Sequence, residues 1–254
     1  MDEGKISELS LDKLNAAVRA RVAPFAEELL TLYKELVVSI SVVGSSVTPD
    51  FDPKRSDTNL LVLLKEMDVN VLDFLASVGK KYGRKGLRAP LLMTEAYISD
   101  SLDVFPIEFM DLQLIHETVY GEDFLKELAI KKTDLRLQVE RELRAKLVQL
   151  RQGYIAAAED KRALARLFTE DLSSYFPVFR ALLHLTYGGI TPVPKKDVLE
   201  KLQEVTGIDM APFKKLFAAK KGEEKLDPRV MPYFFRQIYT CVEKLMERSN
   251  DIEI

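Results

Sequence analysis

Apolar residues recur at steps of three or four through Leu14, Val18, Val22, Phe25, Leu29, Leu32 and Leu36, which places them on one face of a helix. Pro24 falls inside that pattern. An interior proline loses one helical hydrogen bond and crowds the preceding turn at about 3 kcal/mol, so the pattern predicts either a kinked helix or two helices with Pro24 near the start of the second. From Leu36 the character changes: Val37, Val38, Ile40, Val42 and Val43 are β-branched and stop at Gly44, as a buried strand should. Asn59–Leu64 is nearly continuous in apolar residues and predicts a second strand covered on both faces.

A helix over Val69–Lys81 follows, with Val71, Leu72, Leu75 and Val78 inward, then a short strand over Ala89–Met93. Thr94 is placed to cap a short helix. Asp103–Leu112 reads as a further strand, with Pro106 setting it at an edge or near its start and Glu108 among apolar neighbours, where a carboxylate needs a partner. Beyond Gly121 the pattern is helical. Leu135, Val139, Leu143, Leu147, Leu150 and Tyr154 form one stripe, Lys161–Phe168 either continues that helix after a break or forms the next one, and further helices are expected over Tyr175–Tyr187, Lys195–Thr206, Ala211–Ala219 and Pro228–Arg248. The expected fold class is α+β: a mixed sheet flanked by helices over residues 1–127, followed by an all-α helical bundle domain over residues 128–254.

Composition narrows the function. A net charge of -3 with 30% charged residues carries no global basic excess, so there is no strong nucleic-acid signal. The single cysteine, Cys241, has no disulfide partner and belongs to no zinc-type spacing; it is expected as a buried residue of a helix. Met1–Lys5 lacks a signal-type apolar core and no apolar run approaches a membrane span of about 20 residues, so a cytoplasmic protein without membrane contact is expected.

The candidate chemistry lies between the first two strands. Gly44-Ser45 ends one strand, a Pro/Asp-rich loop follows, and Asp57 and Asn59 open the next. A strand repeats its side-chain direction every second residue, so Asp57 and Asn59 project from one face about 7 Å apart along the backbone. Oxygen side chains so placed can grip Mg2+, and Glu108 is the candidate third ligand. The basic loop Lys80–Arg88 attracts phosphate or simply complements the end of a helix. His116 is expected as a surface or helix-capping residue.

Gly44-Ser45, the loop and Asp57-Thr58-Asn59 before an apolar strand resemble the glycine-serine and Asp-x-Asp pattern of the DNA polymerase beta-like nucleotidyltransferase superfamily. Ser101–Asp111 and the following His116–Leu125 are similar to bacterial predicted nucleotidyltransferases joined to a helical domain. The resemblance implies that Gly44 lets the backbone approach the phosphates of an NTP and that Ser45 donates to a phosphate oxygen. It implies Asp57, Asn59 and Glu108 as ligands of Mg2+ or Mn2+, with Asp57 and Glu108 catalytic, in a two-metal displacement that moves a nucleoside monophosphate to a hydroxyl acceptor of unknown identity. Asn59 departs from that pattern, since the superfamily has Asp or Glu there and an amide cannot act as a base. The alternative it supports is a catalytically inactive nucleotide-binding or protein-interaction module, antitoxin-like. Whether such a chain acts alone, as a homodimer or with a protein partner stays open.

Overall fold

The computed structural model describes residues 9–158 and 160–253; the reading of Met1–Lys5 falls outside them. The chain forms two compact units. One takes in the chain up to Val104 together with Phe109–Ala129, and the other takes in Phe105–Glu108 and the chain from Ile130 onward.

The first unit is a mixed four-stranded sheet with helices. Helix α1 spans Ala16–Tyr33 and is capped by the Asn15 side chain, which accepts from the Ala17 N–H at 2.9 Å. Pro24 sits inside this single helix. Val18 and Val22 before it and Phe25, Ala26 and Leu29 after it are all buried. Burial of such side chains, at roughly 1.5–3 kcal/mol each, outweighs the one hydrogen bond that proline forfeits and keeps the helix continuous.

Strands β1 (Val37–Val43), β2 (Asn59–Leu64), β3 (Leu91–Thr94) and β4 (His116–Gly121) are arranged in the order β3-β2-β1-β4. Strand β1 runs antiparallel to both its neighbours, with Val43 opposite Asn59 on one side and His116 on the other. The β2–β3 pair is parallel, so its connection must cross over, and helix α2 (Val69–Gly83) makes the crossing. Ile40 and Val42 of β1, Leu60, Val62 and Leu64 of β2, and Val119 of β4 pack with α1 and with Val71, Val78 and Tyr82 of α2. Leu72 of α2, expected inward, is exposed.

Helix α3 (Glu95–Asp100) begins at Thr94, whose side chain accepts from the Tyr97 N–H at 3.1 Å as its position predicts. The expected strand over Asp103–Leu112 is instead helix α4 (Pro106–Leu114). Pro106 takes the first helical position, where no N–H is required. The buried positions Pro106, Ile107, Phe109 and Met110 suit a helical face better than a strand's strict alternation. Strand β4 starts only at His116, so that histidine opens a strand.

The second unit is a bundle of five helices among the described residues: α5 (Lys132–Ala156), α6 (Lys161–Thr186), α7 (Lys195–Thr206), α8 (Ala211–Lys221) and α9 (Met231–Asn250). Lys161–Phe168 and Tyr175–Tyr187, read above as separate elements, form the one helix α6 with Pro177 inside it. Leu164, Phe168, Leu172, Phe176, Phe179 and Leu183 are buried along its length and hold it together across the proline. Phe179 packs edge-on to Phe213 with centroids 5.0 Å apart, so the clustered aromatic residues of α6 are core, while Tyr233 is 66% exposed. Cys241 is buried on α9 with its Sγ 3.5 Å from Met210 Sδ, and burial pushes its thiol up to about 12, which leaves it a packing residue.

Candidate functional site

Gly44 leaves β1 with φ +72, a backbone conformation that side-chain-bearing residues rarely adopt, and opens a short 3-10 turn over Gly44–Val47. Its N–H donates to Ile115 O at 3.0 Å, tying the turn to the residue before β4. Ser46 is buried and its Oγ donates to Asp57 O at 3.3 Å. A Cβ added at Gly44 would lie 3.8 Å from the Asn59 amide nitrogen. The glycine-serine turn and the head of β2 are therefore side by side, as the sequence predicts.

What holds the head of β2 in place is a residue that pattern reading missed. The Arg21 guanidinium, from α1, donates to Ser56 O at 2.8 Å, Pro53 O at 2.6 Å and Thr58 Oγ1 at 3.2 Å, and lies 5.5 Å from the centre of the Phe51 ring. Thr58 is fully buried toward that arginine. By strand alternation Asp57 and Asn59 then face the opposite way. An Arg on the edge of an apolar helical stripe is ordinarily a solvated residue, so no local pattern signalled this role.

The basic loop closes onto the same strand. Thr58 N donates to Gly86 O at 2.7 Å and Arg88 N donates to Thr58 O at 2.9 Å. This parallel pairing, which extends β2 against the chain before β3, sets Arg88 beside Asp57. Arg88 Nε and Nη2 both reach Asp57 Oδ2 at 2.7 Å. Lys81 pairs instead with Glu28 at 2.6 Å, and the Tyr82 hydroxyl also donates to Glu28; the two contacts hold the Glu28 carboxyl below its ordinary range. On the other side of Arg88, an apolar cavity of about 480 Å³ is lined by residues that include Phe25, Leu75, Tyr82, Leu87 and Leu92.

Glu108 lies in the first turn of α4, within the second unit, and is exposed rather than enclosed by apolar groups as a strand position would have it. Its carboxylate accepts from Gln138 Nε2 at 2.7 Å, while Gln138 Oε1 accepts from the Ile107 N–H at 2.7 Å. Gln138, itself buried, thus serves as a remote cap for α4. Replacing it by Leu should cost about 2 kcal/mol, because a buried N–H is left without an acceptor; urea unfolding of Gln138→Leu against the parent measures it. His116 is held by structural contacts: its ring nitrogens lie 2.9 Å from Leu112 O and 2.7 Å from Asp123 Oδ1.

Toward a cation, the head of β2 offers one carboxylate, Asp57, and one amide oxygen, Asn59. Among the described residues no three His, Cys, Asp or Glu side chains come together as a metal site. The Asp57 carboxylate is engaged by a guanidinium, and Asn59 offers only a neutral oxygen.

No family model matches the chain, and no curated protein matches it in sequence. Its fold has a solved counterpart. Spectinomycin adenyltransferase AAD(9) from Enterococcus faecialis, crystallised with ATP and spectinomycin, superposes with a TM-score of 0.57 at 15% identity, over 89% of this chain and 98% of that one. The fold is nucleotidyltransferase-like: a four-stranded mixed sheet flanked by helices, with a helical carboxy-terminal region. No described helix is long and apolar enough to cross a membrane.

Proposed function

We propose that this chain is a nucleotide-binding protein built on the nucleotidyltransferase fold, receiving the phosphates of an NTP at the Gly44–Ser46 turn. The observation that carries this reading is the turn itself. Gly44, at φ +72, removes side-chain bulk where backbone N–H groups and the Ser45 hydroxyl can meet a phosphate, directly beside Asp57 and Asn59. The likeness in fold to a protein solved with ATP supports the same ligand class.

A second reading is transfer of a nucleoside monophosphate to a hydroxyl acceptor with Mg2+ or Mn2+, with Asp57 and Asn59 as metal ligands and Asp57 catalytic. It is favoured by the extent of the fold likeness to an adenyltransferase, which covers both the sheet and the helical region. The engaged carboxylate of Asp57 and the amide at Asn59 favour binding over transfer.

Two measurements test and separate these. Calorimetric titration with ATP should show binding that Gly44→Val weakens at least tenfold, because a β-branched residue is strained at positive φ and fills the approach to the phosphates. Unchanged affinity in that variant would remove the turn from the site. Incubation with labelled NTPs, Mg2+ or Mn2+ and a panel of hydroxyl acceptors should release no pyrophosphate; its release with any acceptor establishes the transferase reading instead.

A further inference from the structure

We propose that Arg88 supplies the positive charge of this site in place of a metal, so that nucleotide phosphates bind against its guanidinium without a divalent cation. The inference rests on the nucleotide-binding reading and specifies how that site holds its ligand.

Four observations carry it. Two N–H groups of Arg88 converge on the one Asp57 oxygen at 2.7 Å, so a fixed cation already stands where a metal ligand is expected. The placement is built into the sheet: the Arg88 backbone N–H donates to Thr58 O, and Thr58 is itself pinned by Arg21, so the Arg88 backbone is anchored beside the residue that follows Asp57. The pair lies at the surface, with the Arg88 side chain 68% and the Asp57 side chain 43% exposed, so a ligand can reach it. The next residue on the same face is the neutral Asn59, which adds no second negative charge against a phosphate and no second carboxylate for a metal.

The chemistry suits the role. A guanidinium remains charged at every accessible pH and presents its N–H donors as a planar fork, so donors remain for phosphate oxygens after two are used on Asp57. Ser46 Oγ donates to the Asp57 carbonyl oxygen, which ties the Gly44–Ser46 turn to the residue that Arg88 pairs with.

Metal and arginine predict opposite signs for one substitution. As a metal ligand, Asp57 is needed for nucleotide binding. As the partner of Arg88, it competes with phosphate for the guanidinium and repels the ligand, so its removal strengthens binding.

The test is calorimetric titration of the full chain with ATP, once in EDTA and once with excess Mg2+, for the parent, Arg88→Ala, Arg88→Lys and Asp57→Asn. The expected result is equal affinity in the two buffers within about twofold. Arg88→Ala should lose at least tenfold, Arg88→Lys should fall between, and Asp57→Asn should gain about fivefold to tenfold as one negative charge leaves the site. Both positions are exposed, and melting temperatures within a few degrees of the parent verify that each variant folds. Binding that appears only with Mg2+ and disappears in Asp57→Asn overturns the inference while leaving nucleotide binding intact. Binding in EDTA that Arg88→Ala leaves unchanged does the same. Absence of ATP binding in both buffers overturns the nucleotide reading and the inference together.

Discussion

Gly121→Ala should destabilise the sheet unit by about 3–5 kcal/mol. Gly121 ends β4 at φ +75, where any side chain is strained by roughly 1–2 kcal/mol. The larger part is steric: a Cβ there would lie 2.0 Å from Val38 O and 3.0 Å from the Ser39 Cα, both backbone atoms of the central strand. Neither can rotate away as a side-chain tip could, so the pairing of Gly121 with Ser39 must open. The register between β1 and β4 already shifts between Ile40 and Ser41, next to this pairing. Because β1 runs directly into the Gly44 turn, the loss should also reach the proposed phosphate site. Urea unfolding measures the stability, and amide hydrogen exchange should show lost protection in β1 and β4. A variant with parent stability would mean that the close approach of these strands is not required.

Arg21→Ala should cost about 3 kcal/mol and loosen the loop over residues 51–58. One guanidinium satisfies Ser56 O, Pro53 O and Thr58 Oγ1 and lies against the Phe51 ring. Hydrogen bonds from a charged donor are worth roughly 1.5–3 kcal/mol each when their acceptors cannot rehydrate, and Thr58 is fully buried. The shorter side chain also removes the group against which Gly86 packs, since a Cβ at Gly86 would meet the Arg21 guanidinium at 3.0 Å. Arg88 is aligned through Thr58, so on the proposed nucleotide-binding reading ATP affinity should fall although Arg21 is no part of the phosphate contact. Limited proteolysis within residues 51–58, together with urea unfolding, gives the result; a loop that stays protected would remove Arg21 from this positioning role. Arg21→Lys should recover little, because one ammonium cannot reproduce the guanidinium's spread of donors.

Where a segment's fate depended on its own periodicity or end signals, it was legible in the chain. Asn59–Leu64 is a strand because a continuous β-branched and leucine run suits a doubly covered sheet position, and Lys195–Thr206 is a helix ended by Gly207 in the left-handed conformation. Thr94 caps its helix for the same local reason. The apposition of Gly44 with the head of β2 was also legible, since a glycine-serine turn between two apolar strands has few ways to close.

Where local signals were balanced, tertiary packing decided. Pro24 and Pro177 both break the helical rule, yet α1 and α6 pass through them because buried side chains on either side pack into one core. Asp103–Leu112 carries apolar residues that read as a strand. The helix forms with Pro106 at its start and the Ile107 N–H taken up by Gln138, a residue 31 positions away. That long-range cap is invisible to any window of sequence.

The sequence by itself determined the α+β layout, the helical second half and the placing of Gly44, Ser45, Asp57 and Asn59 at one end of two neighbouring strands. It could do so because hydrophobic period and glycine conformation act over a few residues. Only the tertiary structure decided what surrounds Asp57. Arg88, 31 residues after it, reaches its carboxylate, and Arg21, 36 residues before it, holds Ser56 and Thr58 on either side; the identity of a neighbouring charge depends on the fold bringing distant segments together.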